Sequence, residues 1–205
     1  MKEDLLLIFP HNFYSFNKFF VDRLTNLGYR VKVINDVYPS WKIMKGISRI
    51  SPLLVRVTTY WVVKKKLQST SFVNLSVILI IRGKGVSSSL IKYFKSQYNC
   101  KIIGYNWDSF INNPSPLKWL NEVDKYFTFD YADAEKYSLN VIDLFSSQIN
   151  ESNTPISDRK IISTVISNHS NRIKFIDGII NYIKQYQDIN FEFNIYIYEK
   201  NIFVA

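Results

Sequence analysis

Short apolar runs alternate with helix-length amphipathic stretches from the first residues through Phe145. Asp4–Phe9, with Leu5-Leu6-Leu7-Ile8-Phe9 inside it, reads as a buried first strand. Over Asn17–Leu27 the apolar residues Phe19, Phe20, Leu24 and Leu27 recur at helical spacing, and Gly28 follows where a helix end favours glycine. Tyr29–Asn35 gives a second strand, and a basic helical segment after it is interrupted near Ser51-Pro52. Ser76–Ile81 is the most hydrophobic strand and reads as central to a sheet. Ser87, Ser88 and Ser89 offer caps for a helix running to Tyr98. Strands at Lys101–Asn106 and Tyr126–Phe129 flank a loop with Pro114 and Pro116. A short helix over Ala132–Tyr137 and a last strand over Val141–Phe145 complete the series. Strands separated by such helices predict right-handed βαβ units, hence an α/β fold with an open parallel sheet covered on both faces.

The pattern then breaks. Ser146–Ser157 is Ser, Asn, Gln and Pro with few apolar residues. The boundaries drawn from it are a domain over 1–147, a linker over 148–159 and a second unit over 160–205. That unit reads as a strand over Lys160–Ile166, a loop over Asn168–Arg172 and a helix with Ile173, Phe175, Ile176, Ile179, Ile180 and Ile183. A strand over Phe191–Tyr198 closes it. One βαβ unit cannot bury both faces of its own sheet. The expectation is therefore the opening of a second domain, cut short.

Composition narrows the class. Of 205 residues, 47% are hydrophobic and 21% charged, which favours a buried core over disorder. Cys100 is the sole cysteine, which excludes a disulfide framework and a thiolate zinc cluster and leaves a core thiol. Two histidines, His11 and His169, are too few for a histidine-rich metal site. Met1-Lys2-Glu3-Asp4 is too acidic to open a secretory signal, and the apolar run after it stops at Pro10. A cytoplasmic protein is expected. The net charge of +9 is uneven: Trp41–Gln68 holds Lys42, Lys45, Arg49, Arg56, Lys64, Lys65 and Lys66 and no acid. Its apolar middle is too short to span a bilayer. Three readings stay open: a basic amphipathic segment on an anionic membrane surface, at the inner face of the plasma membrane; a core helix with a solvated basic end; and nucleic-acid binding. The last is not expected, because no nucleic-acid module accompanies the charge.

Several phrases in order resemble a known family. Ile80-Ile81-Arg82-Gly83-Lys84-Gly85, then Tyr105-Asn106-Trp107-Asp108-Ser109, then Phe127-Thr128-Phe129-Asp130-Tyr131-Ala132-Asp133, and finally His169-Ser170-Asn171-Arg172 follow one another along most of the chain. Together they are similar to bacterial GT-B glycosyltransferase-like proteins of lipopolysaccharide and capsule gene clusters, and to the related CgeB-like spore proteins. The resemblance implies a Rossmann-like acceptor-side half, followed by the start of a nucleotide-sugar-side half. It implies sugar transfer from a nucleotide-sugar donor to a lipid-linked glycan acceptor, with no cofactor. The phrase before the histidine, Val165-Ile166-Ser167-Asn168, departs from the family in lacking glycine. With most of the second half missing, the chain alone is expected to have little or no hexosyltransferase activity. A non-catalytic remnant or binding module of the same fold is the alternative.

In an open parallel sheet, ligands sit beyond the carboxyl ends of the strands, which marks the residues there. Asp108 is the candidate base for an acceptor hydroxyl, with Trp107 beside it to stack on a sugar ring. A turn or cap role is the plain alternative for Asp108, and equally for Asp130, a substrate-binding candidate. His11 and Asn12 follow Pro10 at the first strand's end, as base and hydrogen-bond candidates, or as ordinary loop residues. Lys84 between Gly83 and Gly85 offers a cation and open backbone amides to an anion. Arg172, with His169 and Ser170, is the candidate diphosphate clamp near a helix N-terminus, or part of a solvated face. No Asp-x-Asp occurs, so the metal signal of the other glycosyltransferase class is missing and no metal is expected.

Overall fold

The computed structural model describes residues 2–10, 16–37, 51–144, 161–167, 170–185 and 192–198. The chain forms two compact units, Met1–Gln148 and Ile149–Ala205. In the first unit six strands form one sheet: β1 (Asp4–Phe9), β2 (Arg30–Asn35), β3 (Leu75–Ile81), β4 (Lys101–Asn106), β5 (Lys125–Thr128) and β6 (Asn140–Val141). All pair in parallel, in the order β2-β1-β3-β4-β5-β6. The connections are α1 (Phe16–Asn26), α2 (Pro52–Gln68), α3 (Ser88–Gln97) and α4 (Tyr131–Tyr137), with 3-10 turns at Ser115–Lys118 and Leu120–Glu122. This is the α/β, Rossmann-like open sheet that the alternating pattern predicts. Pro52 stands in the first turn of α2, where its missing N–H costs nothing. Ser87 caps α3 by accepting the Leu90 N–H.

Alternate residues of the strands feed two cores. On one face Leu6, Ile8, Ile78, Ile80 and Ile102 pack with Val63 and Leu67 of α2, Leu90, Ile91 and Phe94 of α3, and Trp119. On the other, Leu5, Leu7, Phe9, Ile81 and Tyr105 meet Phe16, Phe20, Val21 and Leu24 of α1. Both faces carry helices, as expected, though unequally among the described residues. Among the described residues α1 is the only helix on its face, so Leu79, Ile103 and Phe127 stay half-exposed there. A trough of about 300 Å³ lies over them. The cause is handedness. Steps from β3 to β6 all advance in one direction, so right-handed crossovers place their connections on the same face.

The opposite end of the sheet is fastened by a residue that sequence reading treats only as a terminus. Asp4 is fully buried, pairs with Arg30 of β2, and accepts the Val73 (2.7 Å) and Asn74 (3.3 Å) N–H groups ahead of β3. The Arg30 hydrogen bond holds its carboxyl well below the usual range, against the opposing effect of burial. One carboxylate thus ties three strands. The last strand is a second correction. The apolar pattern predicts Val141–Phe145; β6 is two residues, matched to Phe127 and Thr128, and Ile142 and Leu144 beyond it are exposed. Phe145 lies outside the described residues, as do the linker and most of Trp41–Ser51.

The second unit contains β7 (Ile161–Ser167), α5 (Ser170–Lys184) and β8 (Glu192–Tyr198). β7 and β8 pair in parallel over their full length. Among the described residues no helix is long and apolar enough to cross a membrane.

Candidate functional site

The chain runs outward in opposite directions from β1 and β3, which makes their carboxyl ends the topological switch point of the sheet. The loop after β3 starts with two residues in left-handed backbone, Arg82 at φ 65° and Gly83 at φ 60°. Gly83 has no room for a side chain: a Cβ there would lie 2.5 Å from the Trp119 ring. At Gly85 a Cβ would lie 2.3 Å from the Asp36 carbonyl oxygen. Both glycines are therefore demanded by packing.

The backbone amides expected to be open around Lys84 are engaged. Lys84 N–H donates to Asp36 Oδ2 (3.2 Å), and Gly85 N–H to the Asp36 carbonyl (3.0 Å). Asp36, just past β2, is buried and fills the place an anion would take. Burial pushes its carboxyl up to about 6, against the pull of Arg82 and Lys84. Lys84 still brings a cation to this edge, but not a ring of unused amides.

Asp108 stands on the same edge, after β4. Its carboxylate Oδ2 lies 3.3 Å from Arg82 Nε, with side-chain exposures of 38% and 25%, so the pair is reachable from solvent. Nε lacks hydrogen-bond alignment in this contact, which is ionic in character. The turn beneath is set by two buried amides. Asn106 Oδ1 accepts the Asp108 N–H and the Asn113 side-chain amide, both at 3.4 Å, and Asn113 also donates to the Arg82 carbonyl at 2.9 Å. Asn113 thereby links the β3 and β4 loops. Trp107 points to the α1 face, edge-on to Phe9 at 5.3 Å and tilted to Phe16 at 6.4 Å. It is half-buried, and only part of its ring is left for a ligand.

Asp130 serves the backbone. Its Oδ1 accepts the Ala132 and Asp133 N–H groups at 2.9 and 3.1 Å, capping α4. The substrate-binding candidate Asp130 thus serves as an N-cap, because the helix after it has unpaired amides to satisfy. Asp133 is buried and accepts the Phe110 N–H at 2.6 Å, which ties α4 to the loop after β4.

His11, Asn12 and His169 lie outside the described residues. Ser170 and Arg172 sit in the first turn of α5, and their side chains lie outside what the structure describes. Cys100 is half-buried against the core, and burial pushes its thiol up to about 11. No cluster of His, Cys, Asp or Glu among the described residues has the arrangement to hold a metal ion.

The structure thus brings Lys84, Trp107 and Asp108 to one edge and adds Asp36 and Arg82, which sequence reading did not single out. Asp36 was findable: it follows the apolar run of β2 as Asp108 follows that of β4. Arg82 was not, because its role depends on a left-handed backbone that arginine rarely adopts. No protein-family model matches the sequence, and no curated protein matches it significantly.

Proposed function

We propose that this chain is the acceptor-side part of a glycosyltransferase, moving a sugar from a nucleotide-sugar donor to a hydroxyl of a glycan precursor. The observation that supports it best is the Arg82–Asp108 pair at the carboxyl edge, beside the switch point. A carboxylate there can take the acceptor hydroxyl's proton as the oxygen attacks the anomeric carbon. Arg82 orients that carboxylate, and Trp107 borders it with an apolar ring surface. By the resemblance, Ser170 and Arg172 in the second unit are the candidates for binding the nucleotide diphosphate.

A second reading is favoured by one observation. Asp36 already occupies the Lys84 and Gly85 amides, so the crevice suits a neutral sugar better than an anion. The chain would then bind glycan without transferring it.

Calorimetric titration of the purified chain with UDP, GDP and their sugars tests the transfer reading. Saturable binding is expected, weakened about tenfold or more in Arg172→Ala through loss of a charge-assisted contact. Absence of nucleotide binding by a folded chain, with retained binding of oligosaccharide, selects the binding-module reading.

A further inference from the structure

The outer face of α2 is built unlike that of an ordinary surface helix. Val55, Thr59, Val63 and Leu67 are buried against the sheet. The opposite side would normally be polar. Here it carries Leu53, Leu54, Val57 and Trp61, all exposed, with Leu53 at 67% and Trp61 at 61%. At 100° per residue these four fall on one stripe, and Lys64 and Lys65 continue the same side in the last turns. Lys64 is seated among aromatic rings, its Nζ 5.6 Å from the Trp61 centroid and 5.3 Å from that of Tyr93. The helix has no acid, and its other two cations, Arg56 and Lys66, lie off this stripe.

An apolar stripe on a helix whose only charged residues are cations has an anionic, apolar complement. We infer that α2 docks this stripe on an anionic membrane surface, the apolar residues at the headgroup–acyl boundary and the lysines at the phosphates. The long lysine stems let the ammonium groups reach the headgroups while their methylenes lie along the apolar layer. A soluble anion would use the lysines and leave Leu53, Leu54 and Val57 unexplained. The stripe is also placed where a membrane-borne substrate would be useful. A cleft of about 370 Å³ runs from Leu53, Val57 and Trp61 to Ser87 and Ser89, directly after the β3 loop. Arg56 Nη2 reaches Ser115 Oγ at 3.4 Å. The stripe therefore adjoins the sheet edge that holds Arg82 and Asp108. Only this purpose rests on the glycosyl-transfer reading; the lipid contact itself does not.

The test is sedimentation of the full chain with vesicles of phosphatidylcholine alone, and of phosphatidylcholine with about 30 mol% phosphatidylglycerol. Binding is expected to the second kind only, and to fall steeply between about 0.1 and about 0.5 M salt. Leu54→Glu/Trp61→Glu, checked for fold by circular dichroism, is expected to lower vesicle binding at least about tenfold and to leave nucleotide-sugar binding unchanged. No binding, equal binding to both kinds of vesicle, or undiminished binding by the folded variant would overturn the inference. So would a dimer that Trp61→Glu disperses without any vesicle binding, since the stripe would then belong to a second copy. If the variant does not fold, the lipid and salt dependence of the unaltered chain decides. Vesicle binding without nucleotide binding would leave α2 as a lipid-docking helix and remove the transferase reading alone.

Discussion

Asp108 and Asp130 follow adjacent parallel strands and stand on the same edge of the sheet. Asp130 gives one carboxylate oxygen to two backbone amides of α4. Asp108 turns instead toward the β3 loop and meets a guanidinium. The difference comes from the backbone on the C-terminal side of each residue. After Asp130 a helix begins, and its first amides need an acceptor. After Asp108 the chain enters a turn whose Asn112 and Asn113 N–H groups are met by the Ser109 carbonyl. A strand-end carboxylate is available for chemistry only where the backbone beyond it has no claim on it.

The contrast can be attacked at four points. The largest expected effect is at the tie between α4 and the loop after β4. Asp133→Ala removes the acceptor of the buried Phe110 N–H and is expected to lower the unfolding free energy by about 2–3 kcal/mol, read by chemical denaturation. Next is Asp36, under the Lys84 turn. Its carboxyl holds a proton up to about pH 6 when folded, against an ordinary value of 3.8. Folding is therefore favoured at low pH, and that contribution is lost as pH rises through about 6. Asp36→Asn keeps an acceptor for Lys84 N–H without the charge. It should gain about 2 kcal/mol on the unaltered chain between pH 4 and pH 7, measured as a difference between denaturation curves. A parallel pH dependence in the two proteins would show that Asp36 is not the group responsible.

Asp130→Ala comes third, with a loss of about 1 kcal/mol from the uncapped helix and unchanged ligand binding. Asp108→Asn is expected to be the smallest in stability, under about 0.5 kcal/mol, because its ion pair is partly exposed and lacks hydrogen-bond alignment. It is expected to be the largest of the four in any measured sugar transfer. If Asp108→Asn costs more stability than Asp130→Ala, the division of labour between the two strand ends is reversed.

The strands were legible because apolar runs of this kind have few alternatives in an α/β chain. β1 and β4 were predicted at their observed limits, and the other strands apart from β6 differ by a residue at one or both ends. What the pattern could not carry was coverage. Alternation tells that Leu79 and Ile103 face the side opposite Ile78 and Ile102, but which helices arrive there depends on connection handedness. The site was partly legible for a related reason. Strand-end position marks Lys84, Asp108 and Asp130 alike, while hydrogen-bond demand decides among them. That demand involves residues far apart in the chain, such as Asp36 with Lys84 and Asn113 with Arg82.

The brevity of β6 protects the sheet from self-association. A long apolar strand at the rim of a sheet is a template on which another chain can add itself. Here the rim offers two paired residues, Asn140 and Val141, before the backbone leaves the ladder. At the other rim β2 carries Lys32, whose charge would oppose an incoming copy of the same strand, while the Arg30 charge is matched by Asp4. One border is protected by shortness and the other by like charge, so a sheet with six parallel strands has little surface on which to polymerise.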